Sequence, residues 1–505
     1  MKRKGVGRRA AWGVLLAYAV VSRISAALAA IVSVTARQEA PNAAVVVTYE
    51  LDGEAIVTAD VLRDGVSLGA NAQAVCVGDV MRRVAAGTHS FTWNPQKGEI
   101  PVGETTSLAF ALTAWDVETP PDVIVCDLRD GELRYYPSLA ALPDGVTDDR
   151  YKTTEIVFRR IPGTAAGDWT MGSPTDEAGH KTQTFGNWAL ETQHTVRFTN
   201  DWYMGVYPVT QAQYLRVRGN YPDSFFTNAL ARAKRPVDSL SLVDVRGSAW
   251  PENLFDGANA SKAVGKFRAA TGLFLDLPTE AQWEFACRAS TTTPYASGTT
   301  VTTAGRYKDN GGEPSEAYPE NLEGFVSGGS VSDYRNWTAG NGAPEVGTFE
   351  PNALGLYDMH GGVFEYCLDW AGTADWDTTI VYTNPVGVVQ SSSFGGITVV
   401  ARGGAWSSEV TECRSAARRI QNYQNAGGKD TAAPPFGFRL AIQNVPPDVR
   451  KETKTAAAIA VAATSVVGVT EVVASAGLDA RTVWQVVSDY VDILTAKLGA
   501  LLIIR

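Results

Sequence analysis

Histidine, cysteine and excess positive charge are all scarce in this chain of 505 residues. The four histidines lack the paired spacing of zinc or non-haem iron ligands, so neither metal is expected. The net charge is −10, whereas nucleic acid phosphates need a clustered basic surface, so no nucleic-acid partner is expected. The five cysteines are too few and too separated for a disulfide-framework protein, and their odd number leaves at least one thiol unpaired within the chain.

No apolar run is long enough to cross a bilayer comfortably. Residues 1–29 combine a basic start, the apolar stretch AAWGVLLAYAVV and the small residues Ala27 and Ala29, which together predict a signal peptide. Arg23 interrupts the apolar run, so a stable membrane span is not favoured, and a retained anchor is the alternative. We therefore expect an exported protein that is periplasmic, secreted or bound to the cell surface.

Residues 31–135 read as short strands between turn residues. The stretches NAAVVVTYEL, GEAIVTADVLRDG, GTHSFTWNP and TTSLAFALTAWDV are rich in β-branched and aromatic residues. Their spacing predicts an all-β sandwich of immunoglobulin type. Because no cluster of ionisable residues lies there, we interpret this region as a spacer or adhesion module.

Residues 151–443 have a different texture, with dense Gly, Trp, Asn and Asp and little regular structure. Two helices are predicted, one after the N-cap Thr210 and one whose Thr279 and Gln282 have capping-box spacing. Residues 451–505 carry a helical apolar stripe. For this tail, packing on the protein itself or on a partner is favoured over membrane contact.

Seven stretches in the second region resemble, in the same order, the formylglycine-generating enzyme family, also called sulfatase-modifying factors. They include YMGVYPVTQAQY, LDLPTEAQWEFACRA, GLYDMHGGVFEY, ARGGAWSSEVTECRSAARR and GFRLA. The resemblance implies a loop-rich α+β fold, the family's variant of the C-type lectin fold. It also implies that Arg402, Arg414, Arg418 and Arg439 hold the loops together, with a substrate-facing arginine as the alternative.

The resemblance further implies a calcium site in GLYDMHGGVFEY. Its ligands would be the side chains of Asp358 and Glu365 and the carbonyl groups of Gly361 and Val363. Carboxylate and carbonyl oxygens on a tightly curved loop are what this hard cation prefers. Asp358 stands where many relatives have asparagine, which keeps the oxygen and adds a charge.

Active members of the family oxidise a sulfatase cysteine, in a Cys-X-Pro-X-Arg motif, to formylglycine with oxygen and copper. Two cysteines separated by four residues hold the copper, because soft thiolates suit Cu(I). Here the corresponding positions are Ser408 and Cys413. A serine hydroxyl cannot replace a thiolate, so Cys413 is a catalytic candidate without its partner.

Three functions remain open from the sequence. The first is a calcium-stabilised binding or accessory protein with a protein or peptide ligand and without copper chemistry. The second is an active oxidase that acts on a sulfatase and takes its missing ligand from Cys287 or Cys367. The third is a retroelement-diversified ligand-binding protein with variable residues before GFRLA. By resemblance, a Cys287–Cys413 or Cys367–Cys413 disulfide, or buried free thiols, are further expectations.

Overall fold

The computed structural model describes parts of the chain from residue 29 to residue 443. The described residues are 29–38, 44–97, 108–164, 167–182, 190–220, 233–247, 259–301, 303–310, 343–371, 376–386, 398–422 and 436–443. Apart from residue 29, the predicted signal peptide lies outside them, as do the predicted tail 451–505 and most of the segment before GFRLA. None of the helices in these ranges has the length and hydropathy of a membrane span.

The N-terminal region is built from strands, as the sequence predicts. Its elements are β1 Ile31–Gln38, β2 Val45–Leu51, β3 Ala55–Arg63, β4 Val66–Ser67, α1 Ala70–Ala74, β5 Cys76–Gly78, β6 Arg82–Val84, β7 Gly87–Trp93 and β8 Leu108–Trp115. In the described part, one antiparallel sheet has the order β1-β2-β7-β5. In the other, β3 pairs with β4, β6 and β8.

The two N-terminal sheets share one apolar core. Val47 from β2 and Val57 from β3 are both fully buried in it. The Phe110 ring on β8 lies edge-on to the rings of Phe91 and Trp93 on β7, with ring centres 6.0 and 5.8 Å apart. Alternation of buried and exposed residues along β2 explains this packing, because successive side chains of a strand point to opposite faces. The region is thus an all-β sandwich of two packed sheets.

The second region mixes short strands and helices with long loops. Its elements are β9 Val123–Asp127, β10 Leu133–Tyr136, α2 Arg150–Thr153, β11 Glu155–Ile161, β12 Trp169–Met171, β13 His194–Arg197, β14 Trp202–Gly205, α3 Gln211–Arg218, α4 Leu242–Val245, α5 Ala263–Thr271, β15 Leu275–Asp276, α6 Glu280–Arg288, β16 Phe364–Trp370, β17 Val381–Thr383, β18 Thr398–Arg402, β19 Arg419–Asn422, β20 Phe436–Gly437 and β21 Ala441–Ile442. This α+β composition with many loops agrees with the expected fold class.

The strands β9 and β10 differ from the sequence interpretation, which places them in the sandwich up to residue 135. Within the described residues they belong to a sheet of order β10-β9-β11-β14-β21-β15. The register pairs Val125 of β9 with Val157 of β11. Pairing between distant strands decides this membership, and it leaves no local signal in the sequence. The second region therefore takes its first strands from the chain before residue 151.

The predicted N-cap Thr210 and the predicted capping box at Thr279 are both confirmed, and Thr210 also forms a capping box. Thr210 Oγ1 accepts from the Gln213 N–H at 3.2 Å, and the Gln213 side chain accepts from the Thr210 N–H. Thr279 and Gln282 repeat this arrangement at the start of α6. The second box fixes the direction of α6, and α6 presents Glu280 and Glu284 to the interior of the second region.

Candidate functional site

Ser408 and Cys413 converge on one backbone amide. The Ala405 N–H donates to Ser408 Oγ at 3.1 Å and also faces the Cys413 thiol. Gly404 makes the approach possible, because a Cβ there would lie 2.5 Å from Cys413 Sγ, and its φ of 72° favours glycine. The structure thus keeps the two family positions together while supplying one thiol where two are expected.

The thiol of Cys413 is buried and is held as a thiol. Cys413 has no exposed surface, and its Sγ lies 3.8 Å from the Glu409 carbonyl oxygen. Burial, with a smaller effect of Glu412, raises the pKa of Cys413 well above its ordinary value despite the opposing Ala405 N–H. A thiolate is needed both to bind copper and to act as a nucleophile, so nothing here activates this cysteine.

All five cysteines lie in described residues, and all are free. The predicted pairing of Cys413 with Cys287 or Cys367 is therefore wrong for this structure. The Cys287 sulfur faces the Ser415 hydroxyl at 3.6 Å, and Cys367 packs in the same apolar cluster as Cys287, apart from that of Cys413. The contacts described for these two sulfurs are with groups other than the Cys413 thiol.

His360 beside Cys287 does not form a catalytic pair with it. The His360 Nδ1 donates to the Cys413 carbonyl oxygen at 2.9 Å, and Nε2 accepts from the Ala296 N–H at 3.0 Å. Both ring nitrogens are therefore occupied, and burial lowers the pKa of His360 to about 4. Burial likewise raises the pKa of Cys287 to about 12. A small cavity of about 90 Å³ borders the same histidine.

Arg402 is fully buried and connects helix α6 to residues 401–419, which carry Ser408 and Cys413 and are called the cysteine segment here. Its Nε donates to Glu280 Oε1 at 2.8 Å, and its Nη2 donates to Glu284 Oε2 at 2.6 Å. Its Nη1 donates to the carbonyl oxygens of Ser415 and Ala417. With four of its five N–H groups on these acceptors and no exposed surface, this arginine holds the scaffold.

Arg418 binds the same carboxylate from the other side. Its Nε and Nη2 donate to the two oxygens of Glu280 at 2.6 and 2.8 Å, and its Nη1 donates to the Leu190 carbonyl. Burial would raise the pKa of Glu280, but Arg418 and Arg402 outweigh it and lower that pKa. Asp369 accepts from the Glu280 N–H, and burial, followed by repulsion from Glu280, raises the pKa of Asp369 well above its ordinary value.

Arg414 anchors a distant loop in the same way. It donates to both carboxylate oxygens of Glu191 at 2.8 Å and to Glu177 at 2.5 Å. Its remaining donors reach the carbonyl oxygens of Gly179 and Thr411. The structural role expected for these arginines is the one observed, and none of those described so far faces solvent.

The loop of residues 355–363, here called the Asp358 loop, lies against the cysteine segment. The Gly361 N–H donates to the Gly403 carbonyl at 2.6 Å, and the Trp406 N–H donates to the Gly362 carbonyl at 2.9 Å. Gly361 has a φ of 91°, and a Cβ there would lie 1.8 Å from the Arg306 carbonyl oxygen. This close approach of two backbones requires glycine.

Asp358 is partly exposed as a residue, while its carboxyl group faces the protein in this loop. Its Oδ2 accepts from the Gly347 N–H at 2.7 Å. Burial raises the pKa of Asp358 to about 6, and Glu365 adds to this, while Gly347, Arg439 and Lys152 oppose it. A buried carboxylate without a direct ion pair is the kind of group that a bound cation stabilises.

Glu365 is already partnered. Its Oε2 accepts from Trp283 Nε1 at 2.7 Å and from Arg439 Nε at 3.1 Å, and its Oε1 accepts from Arg439 Nη2 at 2.9 Å. Arg439 also donates to three backbone carbonyls, which belong to Gly205, Val206 and Tyr357. Of the predicted calcium ligands, Asp358, Gly361 and Val363 precede β16, whereas Glu365 lies on it and shares its charge with Arg439.

Asp358 and the carbonyls of Gly361 and Val363 are oxygen ligands of the kind that calcium prefers, and Glu365 could contribute only through its remaining lone pairs. Among the described side chains, no three His, Cys, Asp or Glu groups cluster so as to hold a metal ion. Backbone carbonyls would have to supply much of any coordination shell at this loop.

Sequence reasoning missed the acidic partners of the arginines. Glu280 and Glu284 lie four residues apart, which places both on one face of α6, and this spacing could have indicated them. Glu177 and Glu191 carry no such local pattern, because their contact with Arg414 joins residues more than 200 positions apart.

A loop-rich α+β domain with a buried arginine–carboxylate network surrounds a cysteine segment that lacks its second thiol. A family profile described as "Sulfatase-modifying factor enzyme 1-like domain" matches residues 161–444. This match covers more than half of the chain, so the chain belongs to that family, and the resemblance seen in the sequence is confirmed.

Curated relatives match smaller parts of the chain. It is 27% identical over 194 residues to "Chaperone protein LppX" of Paenibacillus barcinonensis, covering 34% of this chain and 63% of the relative. It is 25% identical over 258 residues to "Serine/threonine-protein kinase pkn1" of Chlamydia pneumoniae, covering 48% and 33%. It is 30% identical over 172 residues to the "Formylglycine-generating enzyme" of Thermomonospora curvata, covering 33% and 48%. The chain thus spans less than two thirds of the length of each of these relatives.

Solved structures are similar at low identity. "Treponema denticola variable protein 1" has a TM-score of 0.40 and 21% identity, covering 57% of this chain and 95% of that one. "Structure of PvdO from Pseudomonas aeruginosa" has a TM-score of 0.36 and 20% identity, covering 56% and 93%. Similarities at this level carry no functional argument.

Proposed function

We propose that this protein is a family member without cysteine-oxidase activity, and that its family domain serves as a binding or accessory module for a protein or peptide. The observation that carries the proposal is the pairing of Ser408 with the buried thiol of Cys413 at one amide. A hydroxyl is a hard, neutral ligand, and a single thiol binds Cu(I) weakly. The alternative function is an active oxidase, and the experiment below distinguishes the two.

Several further points support an accessory role. The donors described for Arg402 and Arg414 are directed at carboxylates and carbonyls, so these arginines act through the packing of the segment. A relative named as a chaperone protein matches a third of this chain. We further propose export of the protein, since residues 1–29 have the composition of a signal peptide.

We also propose that calcium stabilises the Asp358 loop. Asp358, Gly361 and Val363 would hold the ion, with a contribution from Glu365. Calcium supplies no redox chemistry at such a loop, and its effect would be to neutralise the buried carboxylate and fix the bend next to the cysteine segment. Differential scanning fluorimetry with Ca²⁺ and with EDTA tests this, and an unchanged melting temperature contradicts it.

Two measurements on the full chain decide between the accessory protein and the oxidase. The first is a competitive Cu(I) titration with a chromophoric chelator. The second is thiol loss, under oxygen, from a peptide carrying the Cys-X-Pro-X-Arg motif. We expect neither a tight stoichiometric Cu(I) site nor turnover. A tight site together with peptide oxidation would establish the oxidase instead.

A further inference from the structure

The chain before the family match packs near the Asp358 loop. Tyr207 Oη donates to the Val146 carbonyl at 3.0 Å. Gly355 lies against Leu139, since a Cβ on Gly355 would be 2.3 Å from Leu139 Cδ1. Both Leu139 and Val146 precede the family match, which begins at residue 161. A segment that precedes the matched residues therefore contacts Tyr207 and Gly355 near this loop.

Lys152 is the charged residue that this segment buries. It lies in α2 with 8% of its surface exposed, and its carbonyl oxygen accepts from Thr210 Oγ1 at 2.7 Å. Its Nζ lies 5.6 Å from the centre of the Tyr207 ring, which is a cation–π distance. An ammonium group removed from water to this extent needs nearby negative charge or a polarisable face.

The same tyrosine connects Lys152 to Asp358. The Tyr207 ring lies 5.0 Å from the Tyr357 ring, next to Asp358 in the chain. Gly347 lies against the Tyr207 ring, where a Cβ would be 2.7 Å from a ring carbon, and its N–H donates to Asp358 Oδ2. Lys152 and Asp358 thus both lie next to the group formed by Tyr207, Gly347 and Tyr357.

The other cation near this loop, Arg439, is already paired with other groups. Arg439 makes its ion pair with Glu365 and uses its remaining donors on backbone carbonyls. Arg439 and, more weakly, Lys152 both favour the charged form of Asp358 and so lower its pKa, and of these two cations only Lys152 has no ion pair in the described residues.

We propose that Lys152 is a resident cation for Asp358, which offsets the charge of that carboxylate in the absence of a metal ion and weakens the binding of a divalent cation at the same loop. The second half rests on the proposed calcium site, whereas the first half does not. An ammonium group and a calcium ion repel one another, so removing the lysine should favour the metal.

The test is a double-mutant cycle on the full chain in EDTA, with melting temperature as the readout. Lys152→Met keeps the length and the packing of the side chain and removes its charge. We expect it to lower the melting temperature by about 2–4 °C with Asp358 present, and by clearly less in an Asp358→Asn background. Equal losses in the two backgrounds would overturn the proposal, because they would show that Lys152 only packs.

Charge and position are controlled separately. Lys152→Arg should behave like the wild type, because it keeps the charge. Lys308→Met removes a lysine that pairs with Glu409 on the surface, and it should leave the Asp358 loop unchanged. If Lys152→Met does not fold, Lys152→Gln takes its place in both backgrounds.

Calcium titration by isothermal calorimetry then tests the second half. We expect Lys152→Met to bind Ca²⁺ about tenfold more tightly than the wild type, and Lys152→Arg to match the wild type. Equal affinity of Lys152→Met and the wild type would overturn competition. No Ca²⁺ binding by any variant would remove the proposed calcium site and with it the second half, while the cycle in EDTA would still decide the first.

Discussion

The two regions of this chain are stabilised by different means. In the N-terminal sandwich, strands supply the backbone hydrogen bonds and an apolar core such as that around Phe110 supplies the driving force. In the second region, from β9 onward and here called the family region, long loops leave carbonyl groups that no strand pairing satisfies. There the buried arginines, above all Arg402, Arg414 and Arg439, donate to these carbonyls and to carboxylates.

The difference has a consequence for mutation. An apolar core tolerates the loss of one side chain at the cost of a cavity, whereas breaking a buried ion pair leaves an unpaired charge inside the protein. The family region should therefore be the more sensitive to a single charge change and to acid. Three predictions on stability follow, ordered from the largest expected effect to the smallest.

Arg402→Met should destabilise the protein by about 3–5 kcal/mol, because it leaves Glu280 and Glu284 with less compensating charge in the interior. Urea denaturation measures the loss. The matched control is Arg83→Met in the sandwich, which breaks an ion pair with Glu54 on the surface. The control should cost at most about 1 kcal/mol. Similar costs for both variants would erase the contrast between the regions.

We expect acid to destabilise the family region before it destabilises the sandwich. Burial opposes ionisation of Glu284, but Arg288 and Arg402 outweigh it and lower its pKa from 4.5 to about 2. A lowered pKa in the folded state stabilises the protein above pH 4.5, and this contribution, about 3 kcal/mol, is lost as the pH falls through 2. Pepsin digestion near pH 3 with peptide mapping should cut around α6 before it cuts β2 or β3.

The variant Glu284→Gln provides the control for acid sensitivity. It should be less stable than the wild type at pH 7, and the difference should shrink below pH 4.5, since the amide does not titrate. If cleavage instead starts in the sandwich, the buried ion pairs are not the acid-sensitive element of the molecule.

Loss of a helix cap should have the smallest effect. Thr279→Ala removes the side-chain acceptor of the capping box of α6 and should cost about 1 kcal/mol. Thr210→Ala removes the matching cap of α3, which carries no buried carboxylate pair in the described structure. A larger cost at Thr279 than at Thr210 would show that the cap also positions Glu280 and Glu284, whereas equal costs would limit its role to the helix end.

Local sequence patterns predicted many elements of this fold, but they predicted little of the buried arginine–carboxylate network. The strands of the sandwich, the N-cap Thr210 and the capping box at Thr279 were predicted because alternation and capping act over a few residues. The membership of β9 and β10 was not, because strand pairing is a tertiary choice. The immunoglobulin type of the sandwich stays a prediction.

The site shows the same division. The family segments singled out Ser408, Cys413 and Asp358, and the structure brings their two stretches into contact through Gly361 and Gly403. The partners of the arginines and the approach of Lys152 come from distant parts of the chain, so a single sequence gave no spacing from which to infer them.

On this interpretation, one missing thiol separates this protein from a copper-binding relative. The direct measurement is Cu(I) affinity, by competition with a chromophoric chelator, of the wild type, Ser408→Cys and the control Ser407→Cys, which adds a thiol next to the site. We predict a tight stoichiometric Cu(I) site in Ser408→Cys alone. A tight site in the wild type, or equal affinity in both cysteine variants, would contradict the account.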